Sequence, residues 1–204
     1  RLGQSALANP VLLSVLAIVA ILTATGTSYA TYFDGAQFVH FLLGPATVAL
    51  AIPLYRQFER VRRSWKAILA SILTGALTSI LVSIGLGVLL GASQQTLASL
   101  APKSVTAPVA MGIAETIGGA PSLSAALVVT TGILGAALGP ALLDALGIRD
   151  EAARGVALGT TSHGIGTARA LQESEATGAF SGLAMGINAI ATAILLPILW
   201  RLLF

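Results

Sequence analysis

A chain of 204 residues that is 55% hydrophobic and only 9% charged lies far outside the soluble class, where about a quarter of residues carry charge. With a mean hydropathy of +0.89, its apolar surface has to face lipid rather than water. The net charge of +3 marks no nucleic-acid partner, because the basic residues crowd into one short stretch, and the lack of cysteine excludes disulfides, thiolate metal ligands and cysteine catalysis.

A membrane-spanning helix needs about 20 apolar residues. The opening RLGQSALANP carries one basic residue and no clear small-residue cleavage site, so no signal peptide is expected, and residue 1 is not methionine. The first candidate span is 10–28, with Asn9-Pro10 as N-cap and first helical residue. It ends in YATYFDG, where Tyr29, Tyr32 and Phe33 suit a headgroup belt and Asp34-Gly35 a turn. The second span is 37–54. YRQFERVRRSWK follows, with Arg56, Arg60, Arg62, Arg63 and Lys66 against Glu59 alone. The positive-inside rule predicts that this loop, 55–66, is cytoplasmic. The third span is 67–90. After GASQQT and ASLAPK comes a short fourth segment, 104–117, interrupted by Pro108 and closed by Gly118-Gly119-Ala120-Pro121. The fifth span is 122–146, and GIRDEAAR, balanced in charge, leads to the sixth segment, 155–171. Acidic QESEAT precedes the seventh, 178–204. Seven alternating segments predict an all-α integral membrane protein with its N-terminus inside and its C-terminus outside.

Leu43-Gly44-Pro45-Ala46 recurs as Leu138-Gly139-Pro140-Ala141, and Ala110-Met111-Gly112-Ile113 as Ala184-Met185-Gly186-Ile187, in the same order. The single domain, 1–204, therefore reads as two related units, 36–120 and 131–204. Three segments in each make the second unit insert upside down, the inverted-topology arrangement of many secondary transporters. Chance recurrence in so biased a composition is the competing reading.

Two segments read as broken or re-entrant helices. In KSVTAPVAMGIAET, Pro108 starts a helix that Ser104 or Thr106 can cap; in GTTSHGIGTARALQE, Gly159, Gly164 and Gly166 loosen the backbone among hydroxyls. Exposed N–H groups at a half-helix N-terminus favour anions, and paired interrupted segments point to a transporter's binding site. The expected substrate-binding set is Ser104, Thr106, Pro108, Thr161, Ser162, His163, Gly164, Gly166, Thr167, Arg169 and Asn188. Arg169 has a fork that matches a carboxylate; the alternative is pairing with Glu173, its i+4 neighbour. His163 is a candidate proton relay or a packing residue, and Glu115 a coupling group or an interfacial one. Asn188 either lines the site or bonds between helices. Lys103, which follows Pro102 at a segment edge, marks an interface or contacts ligand. Gly87/Gly91, Gly135/Gly139 and Gly178/Gly182/Gly186 form small-residue faces for close helix packing within the fold or in a homodimer. Gly164-Ile-Gly166-Thr-Ala-Arg169 lacks the third glycine of a dinucleotide fingerprint, and no metal-ligand cluster is visible. No enzymatic role and no cofactor are expected.

The series FLLGPATVALAIPLY (41–55), PKSVTAPVAM (102–111), TGILGAALGP (131–140) and ARGVALGTTSHGIGTARA (153–170) resembles the LrgB family across nearly the whole chain. The resemblance implies two functions. Plant members move glycolate and glycerate, and some bacterial members, with a small LrgA-type membrane partner, are linked to pyruvate uptake. Other bacterial members are antiholin-like modulators of murein hydrolase export and cell lysis. The family motifs carry Lys103, Ser104, Thr106, Pro108, Thr161, His163, Gly164, Gly166, Thr167 and Arg169. The expectation is a secondary transporter of small 2-hydroxy- or 2-oxo-monocarboxylates in contact with membrane lipid, with the antiholin-like regulator as the alternative.

Overall fold

Lipid offers no hydrogen bonds, so backbone polar groups in a membrane have to be satisfied within the chain, and helices do this. The computed structural model describes residues 10–49 and 51–204. The order is α1 (Pro10–Thr25), α2 (Tyr29–Ala49), α3 (Ala51–Arg56), α4 (Phe58–Leu89), α5 (Gln94–Leu100), α6 (Ala107–Thr116), α7 (Pro121–Ala145), α8 (Glu151–Glu173) and α9 (Glu175–Leu203). Among the described residues there is no strand. The helices α4, α7 and α9 are long and apolar enough to cross a membrane. The chain is a multi-pass membrane protein.

Near the N-terminus the boundaries shift from those expected. Gly26, with φ of 65°, turns the chain between α1 and α2, and Asp34-Gly35, expected as a turn, lies inside α2. Tyr29 stacks on Phe33 at 5.8 Å within that helix. The expected Asn9 cap lies outside the described residues. The basic stretch 55–66 is not a loop: it is shared between the end of α3 and the first turns of α4. Long basic side chains extend toward water from such a helix end, so charge alone does not break it.

The larger correction concerns the fourth and sixth segments, which fold back instead of crossing. In α8, Arg154 donates from Nε and Nη2 to Glu173 at 2.8 and 3.1 Å, nineteen residues away. Along a straight helix those positions would be about 28 Å apart. The reversal falls at His163, whose backbone (φ 42°, ψ −133°) is non-helical. An outer limb, 151–162, and a return limb, 164–173, therefore lie side by side, with Leu158 and Ala170 buried together against Leu143. The α5–α6 pair turns back as well. Ala120 N–H donates to Ser99 Oγ at 2.8 Å across twenty-one residues, and the chain between the two helices, 101–106, forms the tip. The five segments expected after the basic stretch reduce to three crossings and two hairpins over 58–204.

The two hairpins enter from opposite ends. Arg60 pairs with Asp150 at 2.8 Å and Arg56 with Glu175 at 2.9 Å, so the start of α4, both ends of α8 and the start of α9 share one end. At the other end, Leu97, Ala98 and Ile113 of the first hairpin pack with Ile80 and Ile84 of α4 and with Leu196 and Trp200 of α9. Around the second hairpin, Ile68 and Ile72 of α4 pack with Val156, Phe180 and Ala184. Two apolar half-cores result, one per hairpin. Of the repeated tetrapeptides, Leu43–Ala46 and Leu138–Ala141 both lie in helices with an internal proline, whereas Ala110–Ile113 sits in a hairpin limb and Ala184–Ile187 in a crossing helix.

Arg154 closes the base of the second hairpin. It also donates to Asp144 Oδ1 at 2.6 Å and to the Ile148 carbonyl at 2.9 Å, and Arg154 and Glu173 are 11% and 15% exposed. Arg154→Met leaves Glu173 mostly buried without its partner, so a stability loss of about 3 kcal/mol is expected. Thermal unfolding of the detergent-solubilised protein reads it; an unchanged transition contradicts the clamp.

Candidate functional site

The hairpin tips meet near the middle of α9, and the sequence of helix contacts explains why. The outer limb of α8 runs along α9 through Gly155 and Gly159, which lie so close to the backbone of Thr177 and Ser181 that an added Cβ would clash. On the return limb, Thr167 bonds to Ser181 Oγ at 2.9 Å and an added Cβ on Gly164 would lie 3.8 Å from Met185 Sδ. On the other side, Gly132, Gly135 and Gly139 of α7 give room to His163, Ser162 and Leu158 in turn. Small residues on α7, α8 and α9 thus let the hairpin slot between two crossing helices. The break itself needs no glycine. His163 holds a backbone conformation that costs on the order of 1–3 kcal/mol and is kept only when surroundings over-determine it. The ring reaches the Val128 carbonyl at 3.0 Å from Nε2.

Asn188 ties the two breaks together. Its side-chain amide donates to the Ser104 carbonyl at 3.1 Å and to the Thr160 carbonyl at 3.0 Å. Carbonyls beside a break lack regular helical partners, and in a membrane they have to find others. One fully buried amide supplies both. Both sequence readings of Asn188 meet here, since it bonds between elements and lies at the tips.

A polar layer surrounds it. Ser104 Oγ and Ser79 Oγ are 2.8 Å apart, and Lys103 Nζ donates to Ser79 Oγ at 3.2 Å. Lys103 makes no ion pair among the described residues. An ammonium has three donors, and at the centre of a membrane helix it costs roughly 2.5–3.5 kcal/mol. Lys103 sits at the tip of the first hairpin, against the middle of the apolar part of α4. The Thr160 hydroxyl is buried with no hydrogen-bond partner among the described residues.

The other expected residues divide. Ser162 and Thr161 lie at the second tip, their hydroxyls 3.1 Å apart. Thr167 is close to the tip, but its hydroxyl is taken by the His163 carbonyl at 2.9 Å and by Ser181. Gly166 is used for packing against the Leu158 carbonyl and Ser162. Thr106 ends the first tip with extended backbone and makes no side-chain cap bond, and Pro108 stands in the first turn of α6 as expected. Arg169 is on the return limb and donates to Gln172 at 3.3 Å; it neither joins the tips nor pairs with Glu173, which Arg154 holds. Glu115 is exposed near the end of α6. Sequence reasoning missed Ser79, Thr160 and Ser181, three hydroxyls on helices that carry no break signal of their own or beside one that does.

A cavity of about 510 Å³ lies between α4 and the outer limb of α8. It runs from Ser64 and Asp150 at the basic end to Thr160 and Thr161 at the second tip.

The family model described as LrgB-like matches residues 1–202. A holin-like protein CidB of Staphylococcus epidermidis is 33% identical over 198 residues, 97% of this chain and 86% of that protein. The holin-like protein CidB of Staphylococcus aureus is 32% identical over 196 residues, 96% and 86% of the two chains. The Bacillus subtilis protein YxaC is 38% identical over 181 residues, 89% and 79% of the two chains. No solved structure matches.

Proposed function

This chain belongs to the LrgB-like family, and from that premise we propose that it carries small monocarboxylates of the 2-hydroxy or 2-oxo class across the membrane. One observation carries the reading: Lys103, without an acidic partner among the described residues, is held at a point where two oppositely entering hairpins meet. A half-buried cation with open donor positions is satisfied by a small anion. The Ser104 and Thr161 hydroxyls and the first amides of the two return helices, α6 and 164–173, complete a polar setting for a carboxylate and its neighbouring oxygen. In this reading Lys103, not Arg169, supplies the positive charge. His163 or Glu115 carries a coupled proton, and the hairpins move against α4, α7 and α9 to expose the site to each side in turn, as an inverted pair. The basic stretch 55–66 faces the cytoplasm of a bacterial cell. The unit works as a homodimer, or with a small LrgA-type membrane partner.

A second reading has the comparisons behind it. The two staphylococcal relatives are named holin-like, and that name favours an antiholin-like regulator of membrane permeability and murein hydrolase export more directly than it favours any substrate. Purified protein in liposomes separates the two. Saturable uptake of labelled glycolate, glycerate or pyruvate, each competing with the others, is expected for a carrier. Unsaturable leakage of unrelated solutes, or no carboxylate uptake by the intact protein, overturns the first reading and leaves the second.

A further inference from the structure

Resting on the reading that small carboxylates are moved, we infer that the cavity between α4 and the outer limb of α8 is the aqueous passage to the hairpin tips, open at the basic end and closed at its floor by Thr160 against Gly75. Its position supports this first. Ser64, Ser71 and Gly75 recur on one face of α4 over about 16 Å of helix. Ser79, the acceptor of the Lys103 ammonium, is the next residue on that face. The passage therefore points at the cation and stops one helical turn short of it.

The lining is the second support. Ser64, Ser71, Thr160 and Thr161 place hydroxyls along the whole depth of the cavity, where a slot filled by an acyl chain needs none. The Thr160 hydroxyl, 4% exposed as a residue, is buried at the floor with no protein partner among the described residues. The volume of about 510 Å³ holds on the order of fifteen waters, or a three-carbon acid with part of its hydration. At the mouth Arg60 pairs with Asp150 and Glu151 and Arg62 with Glu59, while Arg63 and Lys66 stand in the adjoining turns of α4 without an ion pair among the described residues. The field there draws anions in.

The floor is the third. A Cβ on Gly75 would stand 3.0 Å from Thr160 Cγ2, so helix and hairpin are in close contact there. The Thr160 carbonyl is bound by Asn188, so the floor is part of the second tip itself. A shift of that tip away from α4 joins the passage to Ser79 and Lys103.

The native chain has no cysteine, which gives a clean background for a membrane-impermeant methanethiosulfonate reagent. Ser71→Cys and Thr161→Cys line the passage, and Leu73→Cys lies at similar depth outside it. Arg63→Cys marks the basic end and Gln95→Cys the opposite one. Because only thiolate in water reacts readily, Ser71→Cys and Thr161→Cys are expected to label at least ~10-fold faster than Leu73→Cys, and from the face that labels Arg63→Cys. Labelling no faster than Leu73→Cys, or only from the Gln95→Cys face, overturns the passage. Slowing of the Thr161→Cys reaction by glycolate, glycerate or pyruvate supports its use by carboxylates. Fast labelling that none of the three slows, with no carboxylate uptake in liposomes, leaves the passage standing and removes the transport reading on which it rests.

Discussion

Lys103→Met is expected to weaken carboxylate uptake by roughly 10- to 100-fold in half-saturation, because a hydrogen bond to a charged group contributes about 1.5–3 kcal/mol. Methionine keeps the length of the side chain and removes its charge, so the hairpin tip retains its packing. The same variant is expected to be at least as resistant to thermal unfolding as the wild type, since it removes an ammonium that the membrane interior penalises. Lost function with kept stability is what a binding residue shows and a structural one does not. Arg169→Met, on the return limb and bonded to Gln172, is expected to change half-saturation by less than about two-fold, well under the roughly 1.4 kcal/mol that a ten-fold change needs. Concentration-dependent uptake into liposomes measures both. Equal effects of the two substitutions, or none from Lys103→Met, remove the lysine from the site.

Gly159→Ala is expected to destabilise the fold by about 3 kcal/mol or more, at the upper end of what overpacking costs. The added Cβ would fall 2.8 Å from the carbonyl carbon and 2.9 Å from the Cα of Ser181, and closer still to that carbonyl's oxygen. All three are main-chain atoms of α9, so no rotamer change relieves the clash; the hairpin has to move away from α9, and Thr167 loses Ser181. Gly164→Ala is the control. It stands next to the reversal in sequence, yet its added Cβ would meet only Met185 Sδ, at 3.8 Å. Near-neutral stability is expected there. Thermal unfolding in detergent compares the two, and matched transition temperatures would show that the limb does not need its contact with α9.

How far the site could be read in advance follows from what periodicity and composition encode. The two interruptions were legible, because Pro108 and the hydroxyl run 160–162 each break an otherwise apolar segment and lipid tolerates that only inside protein. The direction of the chain after each interruption was not. A segment of fourteen to seventeen apolar residues fits a short crossing or a limb pair equally well, and the evidence that decides is a contact between positions nineteen or twenty-one apart. Glycine was misread for a related reason. Gly159 and Gly166 look like sources of looseness along the chain, yet both mark places where another backbone passes at close range. The non-helical turn falls instead on His163, a residue with no preference for it.

Composition and hydropathy by themselves determined that this chain lives in a membrane as helices, because too little polar surface exists to cover so apolar a chain in water. They also placed α7, α8 and α9 within a few residues and marked both hairpin tips. Only the tertiary structure decided where each cation lies. Arg169 falls inside an apolar segment and Lys103 at the edge of one, and neither position by itself tells which stands beside a tip. Folding back carries Lys103 to a tip beside Ser79, while Arg169 is left on a return limb beside Gln172. That choice is made by contacts between residues distant in sequence, which a pattern read along one segment does not contain.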